Sequence, residues 1–463
     1  MVLALLGGAA AGYRFELGER WFGTEEPDPV REPAAVAPPE GLEVPALERP
    51  PAVAPAATAG ALSRDAVRRA LASGLRDRDL GRSVHAAVAP LDGGPLVFES
   101  GAGGFLPASS TKVVTVAAAL AELGPDHRFT TQVLGSTAAR RGALTLVGGG
   151  DPNLSARPAE PGEWPPRADV VDLAQQTARS LREQGWRRPI RLSYDDSLFT
   201  GPADNPYWRA DYVADDIVSP IGALWVDEGL DPDGFGRSED PAAVAADAFA
   251  SALRSQGVRV AGPIRPATAP GGADELASVA SAPLSQVAER VVEISDNEGA
   301  EVLARHVAIA RGEDASFGGA ARAVTASLAD LGVPLAGVVL RDGSGLSRGG
   351  RLTGAALVAV LQAAADADRP DLRPVLTGLP VGGFTGSLAD RFDTAPRAGV
   401  GRVRAKTGTL TGVRALAGVA TDRAGTPMAF VLSADRIRYN DTLEAEQDLD
   451  ELAGALGACR CSR

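Results

Sequence analysis

The sequence contains 46 lysine and arginine residues, but only two of them, Lys112 and Lys406, are lysines. Cysteine and histidine are also scarce, with two and three residues in a chain of 463. The cysteines, Cys459 and Cys461, are one residue apart, a spacing typical neither of a zinc site nor of a disulfide framework. We therefore expect a core that folds without disulfide bonds and without a structural metal. We also predict that the protein has no cofactor. No H-E-x-x-H string is present, which argues against a zinc peptidase.

The chain also lacks an excess of positive charge, since its net charge is −13 and its pI is about 4.9. Binding to phosphates requires a basic surface, so this composition argues against a nucleic-acid-binding protein. The proportions of 45% hydrophobic and 23% charged residues are typical of a globular protein. A chain of this length is sufficient for two or three domains.

Long apolar runs are missing as well. The opening "MVLALLGGAAAG" is too short to span a bilayer and has no basic residues before it. We interpret it as the remnant of a signal or anchor segment whose beginning is missing; a frayed N-terminus is the alternative. Residues 27–55 contain nine prolines, a density typical of an extended spacer. Residues 1–60 are therefore predicted to be a truncated signal or anchor segment with a proline-rich linker, which suggests an extracytoplasmic enzyme, secreted or membrane-anchored.

Hydrophobic periodicity divides the rest of the chain. Residues 62–77 and 107–124 have helical spacing, whereas residues 83–100 predict a β-hairpin. Three strands and a final helix are predicted near the C-terminus. Residues between them are rich in short strands and turns, and we interpret this stretch as an insert. The predicted domains are a catalytic domain in two parts (61–128 and 276–457), an inserted β-rich domain (129–275) and a tail (458–463).

The first motif that indicates chemistry is "SSTK", which begins at Ser109. Residues three apart share a face of a helix and residues two apart do not, so Lys112 can reach Ser109 but hardly Ser110. A serine hydroxyl becomes an effective nucleophile when a neighbouring base takes its proton. Lysine can be that base because burial lowers its pKa, whereas arginine stays protonated. The motif predicts a nucleophile and its base; the alternative is that Ser109 only caps the helix.

Two further motifs follow, "SDN" at 295–297 and "KTGT" at 406–409, the latter on a predicted strand. Hydroxyl and amine groups at these places could relay a proton and hold a carboxylate. Each motif has a simpler alternative: Ser295 with Glu298 matches a capping box, and Lys406 could be a solvated strand residue. Because the motifs together use both lysines of the protein, we favour the catalytic interpretation.

The three motifs resemble the signature of the serine penicillin-recognising enzymes. The chain is most similar to the D-alanyl-D-alanine carboxypeptidase/endopeptidases of the low-molecular-mass class C penicillin-binding proteins, peptidase family S13. The supporting strings are "PASSTK", "GGGDP", "DDSLFTGP", "SDNEGAEVLAR", "DGSGLSR" and "AKTGTL". The resemblance implies an α/β (α+β) transpeptidase fold related to β-lactamases, in which helices flank an antiparallel sheet. It also implies a β-rich domain inserted between the first two motifs.

The resemblance further implies the role of each motif in catalysis. Ser109 would attack the carbonyl of the penultimate D-Ala, and Lys112 would accept its proton. The N–H groups of Ser109 and Thr409 would hold the oxyanion. Ser295 would pass the proton to the departing amine, and Asn297 would bind the peptide.

Substrate binding is implied for the strand motif. Lys406, Thr407 and Thr409 would bind the terminal carboxylate, and Gly408 would leave room for an extended substrate at the strand edge. The implied partners are peptidoglycan stem peptides, with β-lactams as covalent inhibitors. The choice between carboxypeptidase and endopeptidase activity is left open.

Other functions remain as alternatives. A β-lactamase of class A would need a glutamate for deacylation, and no E-x-x-L-N string supplies one. A related esterase usually has a tyrosine motif in place of "SDN". An α/β-hydrolase needs G-x-S-x-G, and the nearest string, "RDGSGLS", has Asp342 where the first glycine belongs. A catalytically silent wall-binding scaffold is the alternative outside the enzymes.

Overall fold

The structure is a computed structural model that describes residues 60–136, 142–233, 235–393 and 397–462. The predicted signal or anchor segment and linker lie, apart from residue 60, outside the described residues. The helices are α1 (Arg64–Leu71), α2 (Thr111–Leu123), α3 (Val170–Glu183), α4 (Pro241–Ser255), α5 (Leu284–Glu293), α6 (Asn297–Ala310), α7 (Phe317–Asp330), α8 (Gly354–Ala365), α9 (Pro374–Thr377) and α10 (Thr442–Ala458). The strands are β1 (Ser83–Pro90), β2 (Phe98–Ser100), β3 (Thr130–Ser136), β4 (Ala143–Val147), β5 (Arg191–Asp195), β6 (Arg265–Pro266), β7 (Asp274–Ala280), β8 (Val403–Leu410), β9 (Val413–Thr421) and β10 (Pro427–Asp435).

The main sheet joins the beginning and the end of the folded chain. Its strand order is β2-β1-β10-β9-β8, and all neighbouring strands are antiparallel. Strand β1 pairs along its whole length with β10, so that Ser83 lies opposite Asp435 and Pro90 opposite Met428. The prediction that the first hairpin and the last three strands share one antiparallel sheet is confirmed.

Helices cover both faces of the main sheet, and the period-two alternation of strand side chains separates the two cores. On β1, Ala87 and Ala89 belong to the core that includes α2, α5, α6, α7 and α8. Their neighbours Ala86 and Val88 belong to the core formed with α1 and α10. The predicted mixed architecture, an antiparallel sheet flanked by helices, is confirmed.

A second sheet is formed by the segment between the first two motifs. Its order is β6-β5-β4-β3-β7, with parallel pairing of β4 to β5 and of β5 to β6. Helices α3 and α4 share a hydrophobic core with it. The prediction of a β-rich segment therefore missed two helices. Their signals are present in the sequence: Asp169 and Asp240 cap them, and the buried Val170, Leu173 and Ala174 have helical spacing.

The predicted end of this segment also changes. Strand β7 extends to Ala280 and pairs with β3, so the second sheet continues past residue 275. The division into a catalytic domain and an insert stays a prediction, because the described residues group by their contacts into a single compact unit.

The two cysteines form a disulfide bond, and the expectation of a protein without one is wrong. Cys459 follows the last residue of α10, where the backbone becomes extended and the Cα atoms of Cys459 and Cys461 lie 5.3 Å apart. This separation is within the range that a disulfide requires. The bond spans one intervening residue and links no distant elements. The tail is held to the body by Asp422, whose carboxylate accepts the N–H groups of Cys461 and Ser462, each at 3.0 Å.

Candidate active site

The turn that carries Ser109 lies directly before α2. Ala108–Ser110 form a single 3-10 turn, and the helix begins at Thr111. Residues 113–120 are buried on every side of the helix, which explains their apolar character around its whole circumference. The N-cap residue is Ser110, and its side chain makes no capping hydrogen bond. The alternative that Ser109 only caps this helix is therefore wrong.

The amine of Lys112 is completely buried and has three oxygen neighbours. Nζ lies 3.0 Å from Oγ of Ser109, 2.8 Å from Oδ1 of Asn297 and 2.9 Å from the carbonyl oxygen of Ser344. The last two oxygens can only accept hydrogen bonds. A neutral amine donates its two hydrogens to them, so its lone pair is directed to Ser109. The geometry therefore matches a base that takes the serine proton.

Burial lowers the pKa of Lys112 from 10.5 to about 8. Four carboxylates, those of Asp296, Glu301, Asp342 and Glu298, act in the opposite direction and raise it. Burial is the larger effect. A pKa close to the working pH is what a general base requires, because a useful fraction is then neutral.

The second motif connects α5 to α6. Ser295 has a φ of 63°, a left-handed conformation that is uncommon for a residue other than glycine. Asp296 is the N-cap of α6 and accepts the N–H of Gly299 at 2.8 Å. The capping-box alternative is wrong, because the cap is one residue later than Ser295. The carboxylate of Glu298 instead accepts the N–H of Ser219 at 2.9 Å.

Asn297, the first residue of α6, is oriented from both ends of its amide. Oδ1 accepts from Lys112, and Nδ2 donates to the carbonyl of Ile217 at 2.8 Å. Ile217 belongs to the segment between the first two motifs. That segment therefore takes part in positioning a residue of the site.

Strand β8 is an edge of the main sheet and carries the third motif. Lys406 is completely buried, so the alternative of a solvated strand residue is wrong. Its amine donates to the carbonyl of Thr407 at 3.1 Å, and Oγ1 of Thr407 donates to Oγ of Ser387 at 2.8 Å. Burial lowers the pKa of Lys406 well below its usual value, and the charge of Lys112 lowers it further.

The structure explains the glycine at position 408 by a close approach of the main chain, which differs from the predicted role. A Cβ atom at this position would lie 2.6 Å from the carbonyl oxygen of Pro107 and 3.2 Å from Oγ of Ser110. Both neighbours belong to the segment that carries Ser109. The glycine thus lets the serine turn approach β8, whereas the prediction was that it makes room for a substrate.

Groups from all three motifs line one cleft of about 560 Å³. The predicted site residues that line it are Ser109, Ser295, Asn297, Thr407 and Thr409. Lys112 and Lys406 are buried behind them, and Lys112 contacts the cleft-lining Ser109 and Asn297 directly. Arg209, Tyr212 and Ile217, from the segment between the motifs, also line the cleft.

Comparison with known proteins identifies the family. The family described as "D-Ala-D-Ala carboxypeptidase 3 (S13) family" matches residues 67–232 and 234–456. The chain belongs to the S13 family. Carboxypeptidase Rv3627c of Mycobacterium tuberculosis is 38% identical over 434 residues, which cover 91% of each chain. The D-alanyl-D-alanine carboxypeptidase of Actinomadura sp. strain R39 is 32% identical and covers 68% of this chain and 70% of its own.

Solved structures agree on the fold. Penicillin binding protein 4 of Haemophilus influenzae superposes with a TM-score of 0.66 and 22% identity, covering 84% of this chain and 98% of its own. The sequence-based prediction of an S13 enzyme, a serine-type D-Ala-D-Ala carboxypeptidase, is confirmed at the level of the family. The α/β-hydrolase alternative would require Ser344 of "RDGSGLS" as the nucleophile. Ser344 is fully buried, which argues against this alternative.

Several residues of this S13 site were missed by the sequence analysis. Ser344 and Ile217 contribute main-chain carbonyls, which leave no trace in residue type. Ser387 contributes a hydroxyl from a 3-10 turn 20 residues before Thr407. Glu301 was within a string recognised as family-like, and its spacing of four residues from Asn297 on a helix places both on one face.

Proposed function

We propose that the chain removes the C-terminal D-Ala from peptidoglycan stem peptides through an acyl-enzyme on Ser109. The observation that carries this proposal is the contact of 3.0 Å between Oγ of Ser109 and the buried amine of Lys112. With a pKa of about 8, about one Lys112 side chain in ten is neutral at pH 7, against about three in ten thousand at 10.5. Ser109 thus has a base next to it near neutral pH.

The proposed acylation uses groups from all three motifs. Lys112 takes the proton of Ser109 while Oγ bonds to the carbonyl carbon of the penultimate D-Ala. The oxyanion is held by the N–H groups of Ser109 and Thr409, and such a donor contributes about 3–4 kcal/mol to lowering the barrier. The C–N bond breaks when the departing amine receives a proton through Ser295. Water hydrolyses the ester, and Lys112 again serves as the base.

Carboxylate binding is assigned to Lys406, Thr407 and Thr409. Without substrate, the Lys406 amine has a lowered pKa because it is buried and close to Lys112. An arriving carboxylate favours the charged form and raises that pKa again. The charge on Lys406 then disfavours a charge on Lys112.

A fluorescent penicillin tests the proposed nucleophile. H. influenzae penicillin binding protein 4 has been solved with a novel β-lactam, and we propose that a β-lactam likewise acylates Ser109 here. We expect covalent labelling of the wild type. The labelling should be lost in Ser109→Ala and kept in Ser110→Ala. A folded wild type that is never labelled would favour the silent scaffold.

The activity on natural substrates is tested with two peptides. We propose carboxypeptidase activity as the main reaction, supported by the names of the curated relatives. A D-Ala-D-Ala pentapeptide should lose one D-Ala. Cleavage of cross-linked dimers in preference to the pentapeptide would instead assign an endopeptidase.

An extracytoplasmic location is inferred, because peptidoglycan lies outside the cytoplasm. None of the helices in the described ranges has both the length and the apolarity to cross a membrane. Secretion or anchoring through residues 1–60 is part of the proposal, and fractionation of cells into membrane and medium tests it.

A further inference from the structure

A loop between α7 and α8 contacts the amine of Lys112 through a main-chain carbonyl. It contains the string "DGSGLS", residues 342–347, and is called here the lysine loop. Its Ser344 carbonyl accepts from Lys112 Nζ at 2.9 Å. Oγ1 of Thr115, one turn further along α2, donates to the carbonyl of Gly343 at 2.7 Å. The loop is thereby attached at two successive points to the helix that carries the base.

Glu301 of α6 holds this loop by its backbone. Its two carboxylate oxygens accept the N–H of Gly343 at 3.1 and 3.0 Å, and one also accepts the N–H of Ser344 at 2.8 Å. Successive backbone N–H groups directed at one anion form a concave anion site. The N–H that Glu301 accepts and the carbonyl that faces Lys112 belong to the same residue, Ser344. A shift of Glu301 would therefore turn that carbonyl.

Burying the carboxylate of Glu301 carries a desolvation cost, which suggests that the charge has a role in the site. The side chain is only 1% exposed, and no ion pair with it is found among the described residues. Burial raises the pKa of Glu301 to about 7, and nearby Asp342 contributes in the same direction. The hydroxyl of Ser344 and the N–H groups of Gly343 and Ser344 lower that pKa and favour the charged form. An amide would fill the same space without this cost.

The lysine loop has little freedom to move away from the site. Gly345 has a φ of +85°, and a Cβ atom there would lie 1.9 Å from the carbonyl oxygen of Ala108. The loop therefore lies directly against the turn that carries Ser109. On its other side, the carboxylate of Asp342 accepts the N–H groups of Gly345 at 3.0 Å and Ser347 at 2.6 Å, and Nε1 of Trp208 at 2.8 Å.

We propose that Glu301 is a positioning residue for acylation: through the main chain of Gly343 and Ser344 it directs a carbonyl at Lys112 and so holds the amine against Ser109. The inference rests on the proposed function, in which Lys112 is the base. It adds a residue on α6 that touches neither substrate nor nucleophile. Glu301 acts on Ser109 indirectly, through the lysine loop and the amine of Lys112.

The expected signature is a change in the pH dependence of acylation. Acylation requires neutral Lys112, so its rate rises with pH through the pKa of that amine. The charged groups around the amine are the carboxylates of Asp296, Glu298, Glu301 and Asp342 and the amine of Lys406. Loss of one negative charge and of a well-directed carbonyl both destabilise the charged amine. The midpoint of the pH profile should therefore move to lower pH.

The test measures the second-order rate of acylation by a fluorescent penicillin from pH 6 to 10. For Glu301→Gln we expect the rate at high pH to fall about tenfold and the midpoint to move down by about half a unit to one unit. A matched control is Glu122→Gln, which removes a half-buried carboxylate ten residues, or about 15 Å, further along α2. It should keep the wild-type profile.

A purely structural role of Glu301 predicts a different result. Partial unfolding would lower the rate equally at every pH and leave the midpoint unchanged, and this outcome would overturn the inference. If the glutamine variant does not fold, Glu301→Asp retains the charge but is one methylene too short to reach the loop. It should lose rate with a smaller change of midpoint, and wild-type kinetics in it would overturn the inference as well. A wild type without any acylation would refute the proposed function itself.

Discussion

Replacing Lys112 with arginine separates the charge of this side chain from its basicity. The amine has oxygen partners at 2.8, 2.9 and 3.0 Å, which leave no room for a planar guanidinium. We expect overpacking to cost about 1–3 kcal/mol in the free energy of unfolding, a moderate loss for a chain with extensive cores. Melting followed by circular dichroism should show a cooperative transition at a temperature a few degrees lower.

The effect on chemistry should be far larger. At pH 8 about half of the Lys112 amines are neutral, whereas an arginine is neutral in fewer than about one molecule in ten thousand. General-base catalysis contributes about 10²–10⁴-fold, so the acylation rate should fall by about three orders of magnitude.

The assay is stopped-flow or gel-based labelling with a fluorescent penicillin, with Ser109→Ala as the unlabelled reference. A folded Lys112→Arg variant that is acylated within tenfold of the wild-type rate would remove Lys112 as the base. A variant that fails to melt cooperatively is replaced by Lys112→Met, which is neutral, similar in length and also unable to accept a proton.

Further predictions concern the three motifs separately. Ser110→Ala should acylate at close to the wild-type rate, because this buried hydroxyl has no hydrogen-bond partner among the described residues; a loss comparable to that of Ser109→Ala would reassign the nucleophile. Lys406→Arg should raise KM for peptides with a free C-terminal carboxylate more than for their amides, and equal losses would contradict the anchoring role. Asp296→Asn should keep the helix cap but break the ion pair with Arg290, whose side chain is 18% exposed. We expect a loss of about 1.5–3 kcal/mol in denaturant unfolding, the usual contribution of a hydrogen bond to a charged group, and unchanged stability would show that the pair contributes nothing.

The three motifs were predictable because each depends on residue type at short spacing. Ser109 and Lys112 are one helical turn apart, so the sequence alone places them in contact. Lys406 lies on β8, as predicted. The alternative that Ser295 caps α6 was wrong by one residue, because Ser295 and Asp296 are both good N-cap residues and only the backbone decides between them.

Other parts of the site depend on contacts between distant segments and could not be predicted. The carbonyls of Ser344 and Ile217 act through the main chain, which carries no information in the side chain. The disulfide of Cys459 and Cys461 depends on how the chain leaves α10, a local backbone choice. Helices α3 and α4 differ from these cases: their caps and periodicity are present, but many turn residues around them favoured an interpretation as strands.

The two ends of the described chain meet. Leu62 forms an isolated β-bridge with Ser462, and the N–H of Ser63 donates to the carbonyl of Cys461 at 2.7 Å. Both ends belong to the layer of α1 and α10, whereas Ser109 and α2 lie on the opposite face of the main sheet. A short peptide could thus join residue 462 to residue 62, and new termini could be opened in an exposed loop elsewhere. A label attached at residue 62 or residue 462 would lie behind the sheet and leave the mouth of the cleft open.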